Sequence, residues 1–313
     1  MSKSSVRVDK IYQLLFTALG IYLTILLLSH PALSLQFASR GLLLWFDKMI
    51  PTLLPFMILS GTMIRMNLTH KCVRLFHPLF HFLYGTSPNG TYTILMGFLC
   101  GFPMGARIVG ELIEADKLTK EEGSLLLSFC NNIGPVYFIS FVVPTLGIRK
   151  PLLPFGIMYG IPLLYGLLVM RLYSLRRPLG RLQGTGSETA KPLPLLSALD
   201  ASVVSGLMGI GKLGGYMVFF NLLNIMFVPF EHLPPLWLYF YNCILEITSG
   251  IDRCGHLYPV LVLILLPFGG LSCFAQTYSM IRHTDLSLKP YLFHKLAQTG
   301  LTALCYFIGR NIF

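Results

Sequence analysis

The sequence is poor in charged residues. Asp, Glu, Lys and Arg make up only 12% of its 313 residues, against about 25% in ordinary soluble domains. Hydrophobic residues make up 54%, and apolar runs recur to the last ten residues, which a removable signal peptide at the start cannot explain. This composition argues against a soluble enzyme, a disordered scaffold and a nucleic-acid binder. It predicts an integral membrane protein in contact with the lipid bilayer.

Cysteine pairs and catalytic motifs are also lacking. The seven cysteines are scattered singly without a CxxC pair, which argues against a disulfide framework and against a zinc site. No HExxH motif, nucleotide-binding loop or intramembrane pair of aspartates is present. The sequence therefore predicts no enzyme activity, no metal and no cofactor.

The basic residues predict how the chain crosses the membrane. Lys3, Arg7 and Lys10 precede the apolar run from Ile11 to Ser29, so the amino terminus is expected to be cytoplasmic. Crossing helices are expected to begin near residues 11, 41, 123, 152, 200 and 291. With six crossings, fourteen Lys and Arg fall on the inner side and eight on the outer side, Lys289 and Lys295 among the eight.

Two clusters of helix-breaking residues interrupt apolar runs in the first half. The run from Thr91 to Ala115 contains Gly101-Phe102-Pro103-Met104-Gly105 and leads into a charged stretch, so it is predicted to be a re-entrant hairpin that opens inward. The run from Gly123 to Gly147 is broken at residues 131–135, Asn-Asn-Ile-Gly-Pro. Between the second crossing helix and the hairpin, Val73 to Tyr84 is too short and polar to cross, and we expect it to lie on the inner surface.

The second half repeats the first weakly and in order. The run from Ile264 aligns with the run from Ile94, which predicts a second hairpin, and Pro235 to Ile251 takes the position of the surface helix. The crossing count inverts the second half, so residues 116–121 and 283–289 are expected on opposite sides of the membrane. The predicted fold is an all-α polytopic membrane protein with inverted repeats and two re-entrant hairpins. The predicted units are an amino-terminal helix and connector (1–40), a first repeat (41–172), a cytoplasmic linker (173–197) and an inverted second repeat (198–313).

Polar residues at these interruptions are the candidate substrate-binding residues, because broken helices expose free backbone groups at mid-membrane depth. Arg107 is the candidate anion ligand, with an Arg107–Glu111 helix pair as the alternative. Asn131 and Asn132 could equally cap the exposed backbone. Lys212 and Glu246 are further candidates, although Glu246 could lie at the outer surface and Lys212 could pair with Asp200. The remaining candidates belong to the two predicted hairpin tips: Gly101, Pro103, Gly105, Ser272, Gln276 and Thr277.

The block from GFPMGAR to NNIGP, with PTLLPFMILSG before it and LEITSGI in the second half, resembles the YlbJ type of sporulation integral membrane protein, which carries a nucleoside-recognition or Gate domain. The resemblance covers about residues 41 to 312. The family pattern more often has Tyr and Lys where this chain has Phe102 and Arg107, and a small residue at Met104. The half-repeat is also similar to concentrative nucleoside transporters and to the Gate repeats of ferrous-iron transporters.

The resemblance implies passage of a small polar or anionic solute, with dipicolinic acid delivery to the developing spore as the activity associated with the family. A bacterial cell membrane, including the membrane around the forespore, is the implied location. Two alternatives stay open: a membrane assembly factor that does not transport, and a transporter for nucleoside-type solutes. An oligomer is compatible with all three.

Overall fold

A computed structural model describes residues 3–176, 192–230, 232 and 234–308, without the side chains of 3–12, 176 and 230. Most of these residues are helical, and short turns and breaks connect the helices. No strand occurs in these ranges. Among the described residues, four helical stretches are long and apolar enough to cross a membrane: Pro31–Arg65, Leu152–Leu175, Leu195–Pro229 and Pro259–Ile281. The chain is therefore an integral membrane protein by length and composition of its helices. Arg177, Arg181 and Lys191 of the predicted linker lie outside the described residues.

Two long helices open the chain. Helix α1 spans Lys3–Ser29, and α2 spans Pro31–Arg65 with a π-helical turn at Trp45–Met49. The π turn lies directly before Pro51, whose ring removes an amide donor and crowds the preceding turn. Near Pro51 the helix therefore contains a widened turn and remains continuous. Two short helices, α3 (Thr69–Val73) and α4 (His77–Tyr84), follow α2 where the surface segment is expected.

The first hairpin consists of α5 (Pro88–Cys100) and α6 (Met104–Glu114), joined by a turn at residues 101–103. Gly101 has φ +91, a conformation that favours glycine, and this ends α5. At the open end, the Asn89 side-chain amide donates to the Lys117 carbonyl at 2.9 Å. The predicted helix break and the antiparallel return of the chain are both present.

A broken helix follows the first hairpin. Helix α7 spans Lys120–Leu127, and the side chain of Thr119 caps its start by accepting a hydrogen bond from the Glu122 amide. A non-helical stretch at residues 128–134, which we call the first break, separates α7 from α8 (Pro135–Thr145). Helix α9 (Leu152–Arg176) then completes the first half. The predicted interruption at residues 131–135 is confirmed, and Pro135 begins the new helix because its missing amide costs nothing at a first turn.

The second half contains a hairpin that the sequence alignment missed. Helix α10 (Leu195–Leu222) continues as a 3₁₀ segment, Leu223–Phe230, and is followed by α11 (Pro235–Leu245) and α12 (Ile247–Cys254). Helices α11 and α12 pack on each other so closely that a Cβ on Gly250 would lie 2.6 Å from the Cys243 sulfur. These two helices form the second hairpin, and Glu246 alone makes its turn. The expectation of a surface helix over Pro235–Ile251 is wrong.

The predicted hairpin after Ile264 is instead a second broken helix. Helix α13 (Pro259–Leu265) and α14 (Gly270–Ile281) are separated by a turn at 266–269, the second break, and α15 (Leu288–Ile308) follows without interruption. Helix α13 packs on α12 and α15. The alignment failed because it matched glycine and proline patterns, which occur at hairpin turns and at helix breaks alike.

The turn after α14 lies beside the turn after α6. The Lys120 ammonium is 2.7 Å from the Asp285 carboxylate and holds the pKa of that carboxyl below its usual value. Residues 116–121 and 283–289 are therefore on the same side of the molecule, and their predicted placement on opposite sides is wrong. The change moves Arg282 and Lys289 to the side that already carries more basic residues.

The two hairpins open toward opposite ends of α2. Lys117, at the open end of the first hairpin, donates to the Ile64 carbonyl at 2.6 Å. Asp252, at the open end of the second, is 3.4 Å from Arg40. Arg40 and Ile64 are separated by about 36 Å of helix at 1.5 Å per residue. Helix α10 packs antiparallel along α2, since Gly41 lies against Met217 and Gly61 against Ser202.

Candidate functional site

A cavity of about 40 Å³ lies where the interrupted helices meet. All four interruptions contribute to its wall, together with side chains of α2, α8, α10 and α14. The residues from the interruptions are Gly101 and Phe102 of the first hairpin turn, Ile133 and Gly134 of the first break, Glu246 of the second hairpin turn and Leu266 of the second break. The cavity has room for a few water molecules, so an organic solute requires it to widen.

Direct contacts hold the interruptions together. A Cβ built on Gly269, in the second break, would lie 3.1 Å from the Phe102 ring of the first hairpin turn. Gly269 also has φ +77, so both its conformation and its space favour glycine. A Cβ on Gly105 would overlap the Cys130 carbonyl, which brings the backbone of the first hairpin against the first break. The predicted proximity of Gly101–Arg107 to the region of Ser272–Thr277 is present in the structure.

Asn131 connects these elements with its side-chain amide. Its Nδ2 donates to Thr277 Oγ1 and to Tyr291 Oη, both at 3.0 Å, and its Oδ1 is 3.4 Å from the Ala106 amide. Asn131 and Thr277 are fully buried and do not line the cavity. Their interaction ties α6, the first break, α14 and α15 into one unit.

Lys295 is a buried lysine that the sequence analysis missed. Its side chain is 0% exposed, and its Nζ donates to Asn132 Oδ1 at 2.8 Å. The ammonium also lies 4.9 Å from the ring centre of Phe102 and 5.7 Å from that of Tyr291, distances typical of cation–π contacts. The count of Lys295 among the outer basic residues is wrong, because its side chain is buried within the protein. A sequence signal existed, because the polar residues of α15 recur with helical spacing on its buried face: Tyr291, Lys295, Gln298 and Thr302.

Glu246 is a buried anion at the wall of the cavity. It is 1% exposed, and its carboxylate accepts from the Thr248 amide at 3.0 Å and from the Ser249 amide at 2.7 Å. The Asn221 side-chain amide approaches the same carboxylate at 3.4 Å. The carboxylate therefore caps the positive end of α12. The alternative that Glu246 lies at the outer surface is wrong.

Arg107 points away from the cavity. Its Nε is 2.9 Å from Glu111 Oε1, its Nη2 donates to Ser205 Oγ at 2.9 Å, and the residue is 4% exposed. The helix pair weighed as the alternative is thus formed, and a contact with α10 is added to it. Arg107 is absent from the cavity wall.

Of the remaining predicted site residues, some line the cavity and others contact the residues that line it. Gln276 lines the cavity, and its Nε2 donates to Ser272 Oγ, 2.9 Å away and fully buried. Pro103 directly precedes α6, and its carbonyl accepts a hydrogen bond from the Arg107 amide. Lys212 is exposed on α10, and it cannot pair with Asp200 because about 18 Å of helix separates them. Within the described ranges, no group of three or more His, Cys, Asp or Glu could hold a metal ion.

Comparison with known proteins supplies one relative. The sporulation integral membrane protein YlbJ of Bacillus subtilis (strain 168) is 23% identical over 93% of this chain and 81% of its own length. No family model matches, so the Gate domain has no support from that source. No solved structure matches either. The similarity along nearly the whole length confirms the resemblance to YlbJ-type proteins predicted from the sequence.

Proposed function

We propose that this protein is a membrane transporter or facilitator for a small organic anion. One observation carries the proposal: both hairpin turns and both helix breaks line a single cavity. Interrupted helices are costly in lipid because their backbone groups lose hydrogen bonds. Four interruptions around one cavity are therefore best explained by a polar solute that uses the freed groups.

The architecture we infer is a pair of inverted repeats, residues 31–176 and 195–308. Each repeat contains a long helix, a hairpin, a broken helix and a final helix, in that order. Support comes from the hairpins, which open toward opposite ends of α2, and from the antiparallel packing of α2 on α10. Relative to the sequence alignment, the second hairpin moves to α11–α12. The stretch Pro259–Ile281 becomes a crossing helix.

Lys295 is the residue we assign to the anion. A buried ammonium is stable only when hydrogen bonds or an opposite charge compensate the loss of water. Lys295 has one hydrogen bond, to Asn132, and no carboxylate within ion-pair distance among the described residues. An anionic solute would supply the missing negative charge.

Phe102 separates Lys295 from the cavity. Its ring forms part of the cavity wall and also lies next to the ammonium. Movement of this ring, which the first hairpin turn carries, would join the cationic pocket to the cavity and enlarge both. We propose this movement as the step that admits the solute.

The name of the relative suggests the biological setting. YlbJ is by name a sporulation protein of the membrane, and on this similarity we assign the present chain to sporulation as well. Dipicolinate is the solute to test first, because the family resemblance implies it and because its two carboxylates can pair with an ammonium.

Uptake into proteoliposomes tests transport directly. We expect the purified protein to carry labelled dipicolinate, and Lys295→Met to reduce the initial rate at least tenfold. Lys289→Met is the matched control, since Lys289 is exposed on the same helix, and it should leave the rate unchanged. Absence of uptake by the wild-type protein would favour a membrane factor without transport. Uptake of uridine but not dipicolinate would favour a nucleoside-type transporter.

Cysteine labelling tests the inferred topology. In a variant without native cysteines, Asp116→Cys and Asp285→Cys should react from one side of the membrane, and Lys150→Cys from the other. Reaction of positions 116 and 285 from opposite sides would overturn the crossing assigned to Pro259–Ile281.

A further inference from the structure

A second, larger pocket opens at the base of the second hairpin. It has a volume of about 350 Å³ and is lined by side chains of α2, α11, α12 and the 3₁₀ segment after α10. Its charged residues are Arg40, Asp252 and Arg253, and we name it the arginine pocket. Pockets of this size hold small organic ligands, whereas the central cavity of about 40 Å³ does not.

The two guanidinium groups are held in different ways. Arg253 donates to Asn242 Oδ1 at 2.6 Å and lies 4.7 Å from the ring centre of Phe37, so its position is fixed by neutral partners. Arg40 is 3.4 Å from Asp252, and both side chains are partly exposed. One carboxylate thus faces two guanidinium groups, and the pocket carries an excess positive charge. Guanidinium groups bind carboxylates and phosphates through paired hydrogen bonds.

A chain of side-chain amides connects the arginine pocket to the central cavity. Asn224 lines the pocket, and its Nδ2 donates to the Asn221 carbonyl at 2.9 Å. The Asn221 side-chain amide in turn lies 3.4 Å from Glu246, which lines the cavity. The two spaces are therefore neighbours along α10, with polar groups between them.

The geometry points to the arginine pocket as an oxyanion-binding site, the vestibule in which a small carboxylate solute binds before it reaches the central cavity. The vestibule role rests on the proposed transport function, whereas the binding of an oxyanion does not. The position at the open end of a hairpin fits this role, because movement of that hairpin would open the path past Glu246. A phosphate headgroup shares the same chemistry and is the competing occupant.

Calorimetric titration of dipicolinate into the purified full-length protein, in a neutral detergent, tests the site. We expect Arg253→Gln and Arg40→Gln each to weaken binding at least tenfold. Arg149→Gln is the control, because Arg149 is an exposed arginine outside the pocket, and its affinity should stay within twofold of wild type. Melting temperatures of the same samples identify any variant that has lost its fold. Arg40→Gln is expected to disturb the fold less than Arg253→Gln, since Arg40 is partly exposed. Unchanged affinity in folded Arg40→Gln and Arg253→Gln would overturn the site.

Two further measurements separate the vestibule from its alternatives. The titration is repeated in nanodiscs of phosphatidylcholine and of phosphatidylglycerol, and we expect dipicolinate to bind in both. Two results together would assign the pocket to a lipid headgroup and overturn the vestibule. The first is dipicolinate binding that disappears only in phosphatidylglycerol nanodiscs. The second is a melting temperature that phosphatidylglycerol raises in the wild-type protein but not in Arg253→Gln. Uptake assays distinguish the two proposals, because arginine-dependent binding without uptake keeps the oxyanion site and removes transport. Uptake with arginine-independent binding keeps transport and removes the site.

Discussion

The two hairpin turns line the same cavity but consist of different types of residue. The first turn, Gly101–Pro103, has no ionisable side chain and depends on a glycine with positive φ and on a proline. The second turn is the single extended residue Glu246, whose carboxylate caps the helix that follows. A chain can therefore reverse its direction in two ways. It can place a glycine where the backbone needs a positive φ, or it can supply a side chain that accepts the hydrogen bonds of the free amides.

The same contrast extends to the two buried charges. Glu246 accepts hydrogen bonds from two backbone amides, so its charge is compensated by the fold itself. Lys295 has one side-chain acceptor and two ring faces. The carboxylate therefore belongs to the framework, and Lys295 is the residue for which we propose a ligand.

The largest effect is expected where the first hairpin touches the first break. Gly105→Ala should lower the free energy of unfolding by about 4 kcal/mol, because its methyl group would overlap the Cys130 carbonyl and neither backbone can yield cheaply. Chemical denaturation in detergent measures the change. Gly156→Ala is the control: it also lies in a helix, but nothing is within 4 Å of its Cβ. Equal stability of the two variants would mean that the hairpin does not depend on this contact.

The second hairpin should lose stability when the Glu246 carboxylate that caps α12 is removed. Glu246→Ala is expected to cost about 3 kcal/mol, since it removes the cap of α12 and leaves the Thr248 and Ser249 amides buried without acceptors. Glu246→Gln keeps one acceptor oxygen and should cost about half as much. Thermal unfolding of both variants, with exposed Glu114→Ala as control, measures the difference. If Glu246→Ala is as stable as the control, the turn does not rest on its carboxylate.

Sequence reasoning found the interruptions that glycine and proline make. Gly101–Pro103 and Asn131–Pro135 were predicted because helix cannot continue through such residues. The turn at Glu246 was missed because its neighbours Leu245 and Ile247 are ordinary helix residues, and only the packing of α11 on α12 reveals the reversal. The second break was located but assigned to a hairpin, since local breakers do not say in which direction the next helix runs.

Charge placement was harder to predict than helix position. Lys295 was counted among the basic residues of the outer side, since the charge count places Lys and Arg near helix ends on one side or the other. Its burial depends on Asn132, Phe102 and Tyr291, and only the tertiary fold brings Asn132 and Phe102 to it. Arg107 was chosen for its place near a hairpin turn, yet its partner on α10 could not be read from spacing along the chain.

Variants of Arg107 test whether its charge stabilises the fold or binds the ligand. Arg107→Ala and Glu111→Ala should each cost about 2 kcal/mol, because either change leaves a largely buried partner without its counter-ion. Dipicolinate affinity of both folded variants should match wild type, since Arg107 does not line the cavity. Calorimetry and thermal unfolding on the same samples provide both values. A loss of affinity in Arg107→Ala alone would return this residue to the binding site and weaken the assignment to Lys295.

Lys295→Met should have the smallest effect on stability and so completes the comparison with Glu246. Methionine has a similar length and no charge, and replacing an uncompensated buried ion with an apolar side chain is often neutral or stabilising. We expect a change in unfolding free energy within about 1 kcal/mol of zero, because the loss of one hydrogen bond to Asn132 is offset by the removal of a buried charge. Thermal unfolding without ligand measures this, and the same variant should lower the initial rate of dipicolinate uptake at least tenfold. A large loss of stability would instead mean that Lys295, like Glu246, belongs to the framework, and the solute would then have no buried cation reserved for it beside the cavity.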